Sequence, residues 1–380
     1  MTGIKIAKNK NFDAAADTSA YSFANVADVR SFHESLESYA VTPLFNLKNF
    51  AAEKNLRAVF VKDESTRFGL KAFKGLGSIY AIFKAVKKNL ALENISLRDL
   101  LKNHGEKISK LTFATTTDGN HGKGVSWAAK IFGCKSYVFM PKGTVEIRAQ
   151  AIRDAGTAEV TITDLSYDDC VKFSAALAEK NGWTLIQDTS WRGYEEIPAW
   201  IMRGYSTLAY ESISQMKIQP THIFLQAGVG SMAGAVTAVF AENFKNNLPR
   251  ISIVEPENVA CFYETMKIGD GKIHAATGNC QTMMAGLNCA TPCEIAWRFI
   301  KSYAANSVTI TDELAADAMK KLAAEKIISG ESGCAGFALA NALDDEKIRA
   351  ALEIDGDSVI FVISTEGATD PANYAKIIGA

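Results

Sequence analysis

The segment HIFLQAGVGSMAG at residues 222–234 is the most informative about the fold class, because its pattern predicts an apolar strand, a glycine-rich turn and a helix in direct succession. Glycines let backbone amides approach a ligand closely, and a helix N-terminus attracts a phosphate dianion. The sequence therefore predicts a phosphate site in this turn. Two alternatives stay open: a tight turn without ligand, or a dinucleotide loop in which Glu255, ending the next strand, binds a ribose. The GxGxxxG spacing and the mid-chain position weigh against the dinucleotide loop.

The rest of the chain alternates short β-branched or aromatic runs with longer helical patterns, which predicts βαβ units and mainly parallel sheets. One series of strands is predicted at 112–118, 136–141, 158–164 and 183–189, with helices at 125–132, 145–155, 167–181 and after Gly193. A second series is predicted at 222–226, 251–256, 307–311 and 359–365. We expect an α/β chain with a small domain at 110–190 and a large domain of 1–109 plus 191–380.

Ligands of open α/β sheets bind beyond the carboxyl ends of the strands. The residues that follow the predicted strands are therefore the candidates for chemistry, and we expect a cleft between two lobes to gather them. They are Asp118, Asn120, Asp188, the glycines after Gln226, and Ser364.

Lys74 stands in AFKGLGS, residues 72–78, directly before a helical pattern with apolar residues at 79, 82, 83 and 86. A lysine at a helix entrance, where positive charge is disfavoured, can be desolvated and become nucleophilic through a depressed pKa. From local sequence alone, a surface cation is the competing interpretation.

The segment TTTDGNHGKG at residues 115–124 also occupies a strand-to-helix turn. Asn120 can donate to an aromatic oxygen, and Asp118 can serve as a base or anchor an amine. An ordinary capped turn is the alternative, because Asp, Gly and Asn all favour turns. His121 is predicted to be structural rather than a general base.

Composition argues against several kinds of partner. Lys and Arg total 41 against 42 Asp and Glu, so no net field directs the chain to nucleic acid or to an anionic membrane. Residues 1–23 lack the apolar core of a secretory signal, and no run approaches the roughly 18 apolar residues of a membrane helix. The seven scattered cysteines predict a reducing, cytoplasmic location. No metal is expected, although a disulfide among Cys261, Cys280, Cys289 and Cys293 stays open.

Together, the lysine before a helix, the asparagine loop, the glycine turn and a C-terminal Ser-Thr resemble the fold-type II pyridoxal-phosphate enzymes, whose type member is the tryptophan synthase β chain. Serine and threonine dehydratases carry Ser or Thr where this chain has Asp118. The pattern TDGNHG at 117–122 is most similar to the diaminopropionate ammonia-lyase family. Further segments share that likeness: KDESTRFGL at 62–70, DTSW at 188–191 and STEGATDP at 364–371.

The resemblance implies two three-layer α/β/α lobes with the active site between them, and pyridoxal 5′-phosphate as cofactor. Lys74 would carry the cofactor as a Schiff base, Asn120 would bind its 3′-oxygen, and Ser364 or else Thr365 would face the ring nitrogen. The phosphate would lie on the backbone amides of Gly228, Val229, Gly230, Ser231, Met232 and Ala233.

The implied reaction is α,β-elimination of 2,3-diaminopropionate to pyruvate and two ammonia, with both D and L isomers accepted. Lys74 would take the Cα proton on one face of the substrate, and Asp118 on the other. The substrate β-ammonium would pair with Asp118 or Asp188, and Thr116 and Thr117 would bind its carboxylate. The likeness also implies a homodimer.

Three rival functions are distinguishable. A serine or threonine dehydratase on the same fold would release one ammonia per pyruvate. An NAD-dependent oxidoreductase using the glycine turn would lack the yellow colour of lysine-bound pyridoxal phosphate. A noncatalytic sensor would bind the cofactor and release no ammonia.

Overall fold

The structure, a computed structural model, describes residues 3–117 and 119–379, apart from the side chain of Asp168. Asp118 therefore lies outside the described residues. Strands and helices alternate along most of the chain, as the sequence predicts. The strands are β1 Lys5–Lys8, β2 Leu44–Asn46, β3 Ala58–Asp63, β4 Thr112–Thr116, β5 Lys135–Met140, β6 Ala158–Ile162, β7 Thr184–Leu185, β8 His222–Gln226, β9 Arg250–Pro256, β10 Ala304–Ile310 and β11 Val359–Ser364.

The helices range from six to twenty residues. They are α1 Ala27–Glu34, α2 Lys48–Glu53, α3 Gly75–Asn89, α4 Leu97–Ile108, α5 Asn120–Phe132, α6 Glu146–Ala155, α7 Tyr167–Asn181, α8 Glu196–Gln215, α9 Ser231–Asn243, α10 Cys261–Ile268, α11 Glu294–Tyr303, α12 Asp312–Ala324, α13 Ala335–Asn341, α14 Glu346–Leu352 and α15 Pro371–Ile378.

The chain packs into two compact units. The first unit comprises the described residues within 1–25, 41–66 and 208–380, and the second those within 26–40 and 67–207. The first unit holds a seven-stranded sheet of order β1-β10-β9-β8-β11-β3-β2, in which only the pairs β1–β10 and β2–β3 are antiparallel. All residues of its inner strands β3, β8 and β11 are buried. Such strands, covered on both faces, are typical of parallel sheets.

The second unit holds a four-stranded parallel sheet of order β6-β5-β4-β7. Its helices begin and end at recognisable caps. The hydroxyl of Ser166 accepts the amide of Asp169 at the start of α7, and Gly133 and Gly182 adopt left-handed φ angles after α5 and α7.

Mainly parallel sheets were predicted correctly, whereas some bounds differ. The run predicted as a strand at 183–189 forms a ladder only over Thr184–Leu185, because the amide of Gln187 bonds to Tyr194 Oη instead of a strand. The second unit is also wider than the predicted 110–190 domain, because α3 packs against α5.

Two further features bear on the sequence-based expectations. No helix within the described residues combines the length and apolarity required to cross a membrane. Within the described residues no cysteine forms a disulfide bond.

Candidate active site

Lys74 directly precedes α3, as its sequence predicts. The first turn of this helix packs so closely against its neighbours that it needs glycines. A Cβ on Gly75 would lie 2.8 Å from Leu70 Cδ1, and one on Gly77 would lie 2.6 Å from Tyr205 Cε1. The lysine side chain is 20% exposed, and its Nζ forms an ion pair with Asp188. Lys74 is thus a partly buried amine with a carboxylate partner rather than a surface cation.

Asp188 follows β7, and its side chain is buried. Burial alone would raise the pKa of this carboxyl group, but the positive charges beside it, His121 when protonated and Lys74, lower the pKa to about 2. His121 is itself neutral near pH 7, so the ammonium of Lys74 is the charge that keeps Asp188 ionised. A buried carboxylate of this kind requires a cation beside it.

His121 lies on the first turn of α5 with its ring buried. Its Nε2 donates to the carbonyl of Ile186 at 2.7 Å, and its Nδ1 lies 3.8 Å from Asp188 Oδ2. Burial lowers the pKa of His121 more than the charge of Asp188 raises it. Within the described residues Nδ1 has no hydrogen-bond partner, so its lone pair faces the carboxylate. No local sequence motif indicates this contact, which we assign to the shaping of the Lys74 site.

Gln187 fixes the backbone that carries Asp188. Its amide donates to Tyr194 Oη at 2.8 Å, and Tyr194 Oη donates to the carbonyl of Leu185 at 2.8 Å. The Gln187 side-chain oxygen accepts the amide of Thr116 at 3.0 Å and the hydroxyl of Thr115 at 3.2 Å. These bonds tie the loop after β7 to the end of β4.

Thr116 and Thr117 were predicted to bind the substrate carboxylate. Thr116 is fully buried, and its hydroxyl lies within hydrogen-bond distance of Ser174 Oγ at 2.8 Å and of the Cys170 carbonyl at 3.0 Å. Thr117 Oγ1 accepts the amides of Gly119 and Gly122 at 2.9 and 3.2 Å. The amide and hydroxyl of Thr116 thus have partners inside the unit that support the loop, and substrate binding by Thr116 stays a prediction. Substrate binding by Thr117 stays a prediction.

Helix α5 approaches α3 closely at the level of the lysine. A Cβ on Gly124 would lie 2.6 Å from Ser78 Oγ and 3.2 Å from the carbonyl oxygen of Lys74, so only glycine fits without displacing α3. Asn120, the predicted partner of the cofactor 3′-oxygen, is the first residue of α5 and is half-buried. The close packing therefore holds the first turn of α5 beside Lys74, the residue that precedes α3.

The predicted glycine turn lies in the first unit, between β8 and α9. Gly230 has φ +89° and precedes α9, and a Cβ there would lie 2.4 Å from Phe262 Cζ. A Cβ on Gly228 would lie 3.1 Å from Cys289 Sγ. The first bond inside the helix joins the Gly234 amide to the Gly230 carbonyl at 2.7 Å. The amides of residues 231–233 thus precede the helical ladder, and a phosphate dianion fits their positive end of the helix dipole.

Ser364 is the last residue of β11 and Thr365 follows it, and β11 pairs in parallel with β8. Gln226, the last residue of β8, donates to Thr365 Oγ1 at 3.2 Å and to the carbonyl of Ile363 at 2.8 Å. Ser364 is buried, and its hydroxyl donates to Ser329 Oγ at 2.8 Å. Both hydroxyls thus lie at the end of β11, beside the strand that leads into the glycine turn, and the choice between them as partner of the ring nitrogen stays open.

Glu255 does not resemble the ribose-binding acid of a dinucleotide site. Its two carboxylate oxygens accept the amides of Phe262 at 2.8 Å and Tyr263 at 2.7 Å, and the hydroxyl of Ser307 at 2.6 Å. Burial raises the pKa of Glu255 to about 7, although these hydrogen bonds act in the opposite direction. The residue holds the first turn of α10 to the sheet, so it is already occupied within the fold.

Comparison with known protein families gives one match that covers most of the chain. The family described as "Pyridoxal-phosphate dependent enzyme" matches residues 36–366. Diaminopropionate ammonia-lyase from Salmonella typhimurium is 44% identical over 92% of this chain and 91% of its own length. The enzyme of the same name from Escherichia coli K12 is 40% identical over 99% of this chain and 96% of its own length.

Solved structures agree with these matches. Diaminopropionate ammonia lyase from Escherichia coli, in complex with an aminoacrylate-PLP azomethine reaction intermediate, superposes on 100% of this chain and 97% of that chain, with a TM-score of 0.91 and 38% identity. The same enzyme in complex with D-serine covers 99% of this chain and 96% of that chain, also with a TM-score of 0.91 and 38% identity. Threonine deaminase from Solanum lycopersicum, at 19% identity and a TM-score of 0.75 over 100% of this chain and 98% of that chain, shares the fold.

Proposed function

This chain belongs to the diaminopropionate ammonia-lyase family of pyridoxal-phosphate dependent enzymes, and we propose that it converts 2,3-diaminopropionate and water into pyruvate and two molecules of ammonia. It is a carbon–nitrogen lyase with pyridoxal 5′-phosphate as cofactor and the fold-type II architecture. The observation that carries the choice of substrate is the ion pair between Lys74 and the buried Asp188.

The described residues fit this cofactor. An aldehyde needs an amine, and Lys74 supplies one that is partly shielded from water. A phosphate needs clustered backbone amides, and the turn before α9 presents them. Neighbouring atoms leave no room for side chains at Gly228 and Gly230 in this turn. We propose as cofactor-binding residues Lys74, Asn120, Gly228, Val229, Gly230, Ser231, Met232, Ala233 and Ser364. When bound, the cofactor withdraws electrons from the substrate α-carbon and so acidifies its proton.

Asp188 selects the substrate by charge. Its carboxylate pairs with the Lys74 ammonium here, and this free ammonium is no longer present once the amine binds the cofactor aldehyde. The β-ammonium of 2,3-diaminopropionate then takes the place of the lysine and restores the pair. A serine or threonine hydroxyl is neutral and offers the buried carboxylate no charge of this kind, which disfavours these substrates by comparison. Asp188 therefore favours a diamino acid over the substrates of a dehydratase.

The lysine Nζ also moves protons in this proposal. Once released by the incoming substrate, the uncharged amine of Lys74 accepts the α-proton, and the β-amino group leaves as ammonia. His121 stays neutral because burial disfavours its charged form, so it does not compete for that proton. Hydrolysis of the released unsaturated amine by water gives pyruvate and the second ammonia.

We further propose that both isomers are substrates, with Lys74 accepting the proton on one face and Asp118 on the other. The complex of the Escherichia coli enzyme with D-serine supports the entry of a D-amino acid into sites of this family. The buried His121 does not take this role in place of Asp118, because burial disfavours its protonated form and its Nε2 is bound to the carbonyl of Ile186.

The experiment counts products from each isomer. Purified enzyme is supplied with L- or D-2,3-diaminopropionate, and pyruvate and ammonia are measured in the same sample. The proposal expects two ammonia per pyruvate from both isomers, and slow or absent turnover of L-serine. Rapid release of one ammonia per pyruvate from serine, with no turnover of the diamino acid, would establish a dehydratase instead.

Location and assembly belong to the same proposal. We propose a cytoplasmic enzyme, supported by described cysteines that form no disulfide bond, and a homodimer, which the family resemblance implies. Sedimentation at micromolar concentration separates a dimer from a monomer of 41.1 kDa.

A further inference from the structure

A cavity lies within the second unit, and Lys74 and Asp188 are not among the residues that line it. It has a volume of about 810 Å³, and its walls come from α1, α3, α4 and α5. This volume falls in the range of small-molecule pockets, roughly 300 to 1,000 Å³. None of the residues assigned above to substrate or cofactor lines it.

The floor of the cavity is aromatic. Phe32 of α1 stacks on Phe83 of α3 with ring centroids 4.4 Å apart and an interplanar angle of 20°, and Tyr80 meets Phe32 edge-on at 5.6 Å. Trp127 of α5 and Leu97 of α4 complete the apolar surface. Such a floor binds the ring or branched body of a ligand, since flat aromatic groups stack well on one another.

The rim of the cavity is cationic. Lys84 and Lys87 lie one turn apart on α3, and Arg98 lies on α4. Among the described residues none of the three has a carboxylate within ion-pair distance: the Nζ of Lys84 lies 5.8 Å from the ring centre of Trp200, and that of Lys87 5.3 Å from Phe83. Partial burial, and then the charge of Lys84, lower the pKa of Lys87, while the charges of Asp28 and Glu93 raise it by less. A bound anion would relieve this repulsion.

The acidic residues of the lining do not supply that anion. Asp28 accepts the hydroxyl of Tyr80 at 2.9 Å and is paired with Arg203 at 3.2 Å. Glu37 is exposed. The charges thus leave the two lysines of α3 free to pair with an incoming carboxylate.

We propose that this cavity is a second ligand site, which binds small carboxylates with an aromatic or branched apolar body. The carboxylate pairs with Lys84 and Lys87, and the apolar body stacks on Phe32 and Phe83. The substrate of the proposed reaction does not fit this description, because 2,3-diaminopropionate carries two ammonium groups and has no apolar body. The site therefore takes a different class of molecule.

Phenylacetate and its neutral analogue phenylacetamide are the probes, each titrated calorimetrically into the cofactor-loaded enzyme. Saturable binding of one phenylacetate per chain is expected, with about tenfold weaker binding of phenylacetamide, which corresponds to the loss of one favourable charge contact. The fluorescence of Trp127 should change on binding, and a Trp127→Phe variant should lose that response.

Two charge variants locate the site. Lys84→Gln combined with Lys87→Gln should weaken phenylacetate binding about tenfold and leave phenylacetamide unaffected. Lys88→Gln is the matched control, because Lys88 lies outside the lining and pairs with Glu196. Ammonia release from 2,3-diaminopropionate checks that all variants are folded.

Three results would overturn the proposal. The first is that phenylacetate and phenylacetamide bind equally well, and the second is that the double variant binds phenylacetate as tightly as wild type. The third is that phenylacetate does not bind saturably at all, which is expected if a second copy of the chain covers the cavity. None of them depends on the reaction, so the second site and the proposed function fail separately.

Discussion

Asp188 lies between two basic groups, the amine of Lys74 and the ring of His121. The carbonyl of Ile186 can only accept a hydrogen bond, so Nε2 of His121 carries the ring hydrogen. The lone pair of Nδ1 then faces the carboxylate and cannot stabilise it. Asp188 consequently depends on an ammonium group, first that of Lys74 and, in the reaction, that of the substrate.

Asp118 is expected to matter for one isomer more than for the other. Replacing it with Asn removes a proton acceptor on one face of the substrate, so turnover of D-2,3-diaminopropionate should fall about a hundredfold or more while the L isomer loses less. Steady-state kinetics with both isomers measures this difference.

Asp188→Asn is the matched control for that variant. It removes the partner of the β-ammonium, which both isomers share, and should impair the two by similar factors, chiefly through KM. Equal losses for both isomers in Asp118→Asn would refute the assignment of two faces to two proton acceptors.

Among the elements, the turn between β8 and α9 makes the strictest demand on its residues. Gly230→Ala places a Cβ 2.4 Å from Phe262 and a side chain at φ +89°. The turn must shift, and the amides before α9 shift with it. We expect the dissociation constant for pyridoxal phosphate to rise at least about tenfold, as measured by equilibrium dialysis.

Gly133→Ala separates backbone strain from the effect on the cofactor. Gly133 ends α5 at φ +67° with open space around its would-be Cβ. The substitution should cost about 1 to 2 kcal/mol of stability without weakening cofactor binding. An unchanged cofactor affinity in Gly230→Ala would show that the phosphate does not rest on this turn.

Local sequence patterns predicted the helices and turns that each contain one proposed site residue. Lys74 precedes α3, Asn120 opens α5, and the turn at Gly230 opens α9, because each is marked by a few neighbouring residues. The strands β1, β2 and β3 were not predicted. In β1 and β2, three or four residues carry too little periodicity. The pairing of Lys74 with Asp188 spans 114 positions and follows from packing alone. The same holds for His121 and Glu255, whose roles depend on partners that no local motif reveals.

For the whole molecule, the sequence predicted two parallel sheets but placed the boundary of the smaller part too narrowly. Residues 26–40 and 67–109 pack with the four-stranded sheet. They do so because α1, α3 and α5 bury apolar faces against one another, as in the stacking of Phe32 on Phe83. A boundary derived from strand spacing cannot include helices that precede the first strand of the sheet.

The buried histidine also makes folding sensitive to acid. The pKa of His121 is lowered by burial, so below about pH 6.5 the unfolded chain binds a proton that the folded chain does not. The stability due to the neutral ring is present above that pH and is lost as the pH falls, by up to about 1.4 kcal/mol per pH unit. Glu255 acts with the opposite sign, because its folded pKa is raised.

A variant isolates the histidine from Glu255. Urea unfolding of the cofactor-loaded enzyme at pH 7.5 and 5.5 should show that wild type loses more stability on acidification than His121→Gln does. If both proteins lose the same amount, His121 is not the buried neutral group described here.

The most direct test of the whole account asks which amine holds the cofactor. The loaded enzyme is reduced with borohydride and digested, and its peptides are identified by mass spectrometry. The account predicts a phosphopyridoxyl group on Lys74. The same group on Lys71 or Lys123 instead, or on no lysine at all, would contradict it.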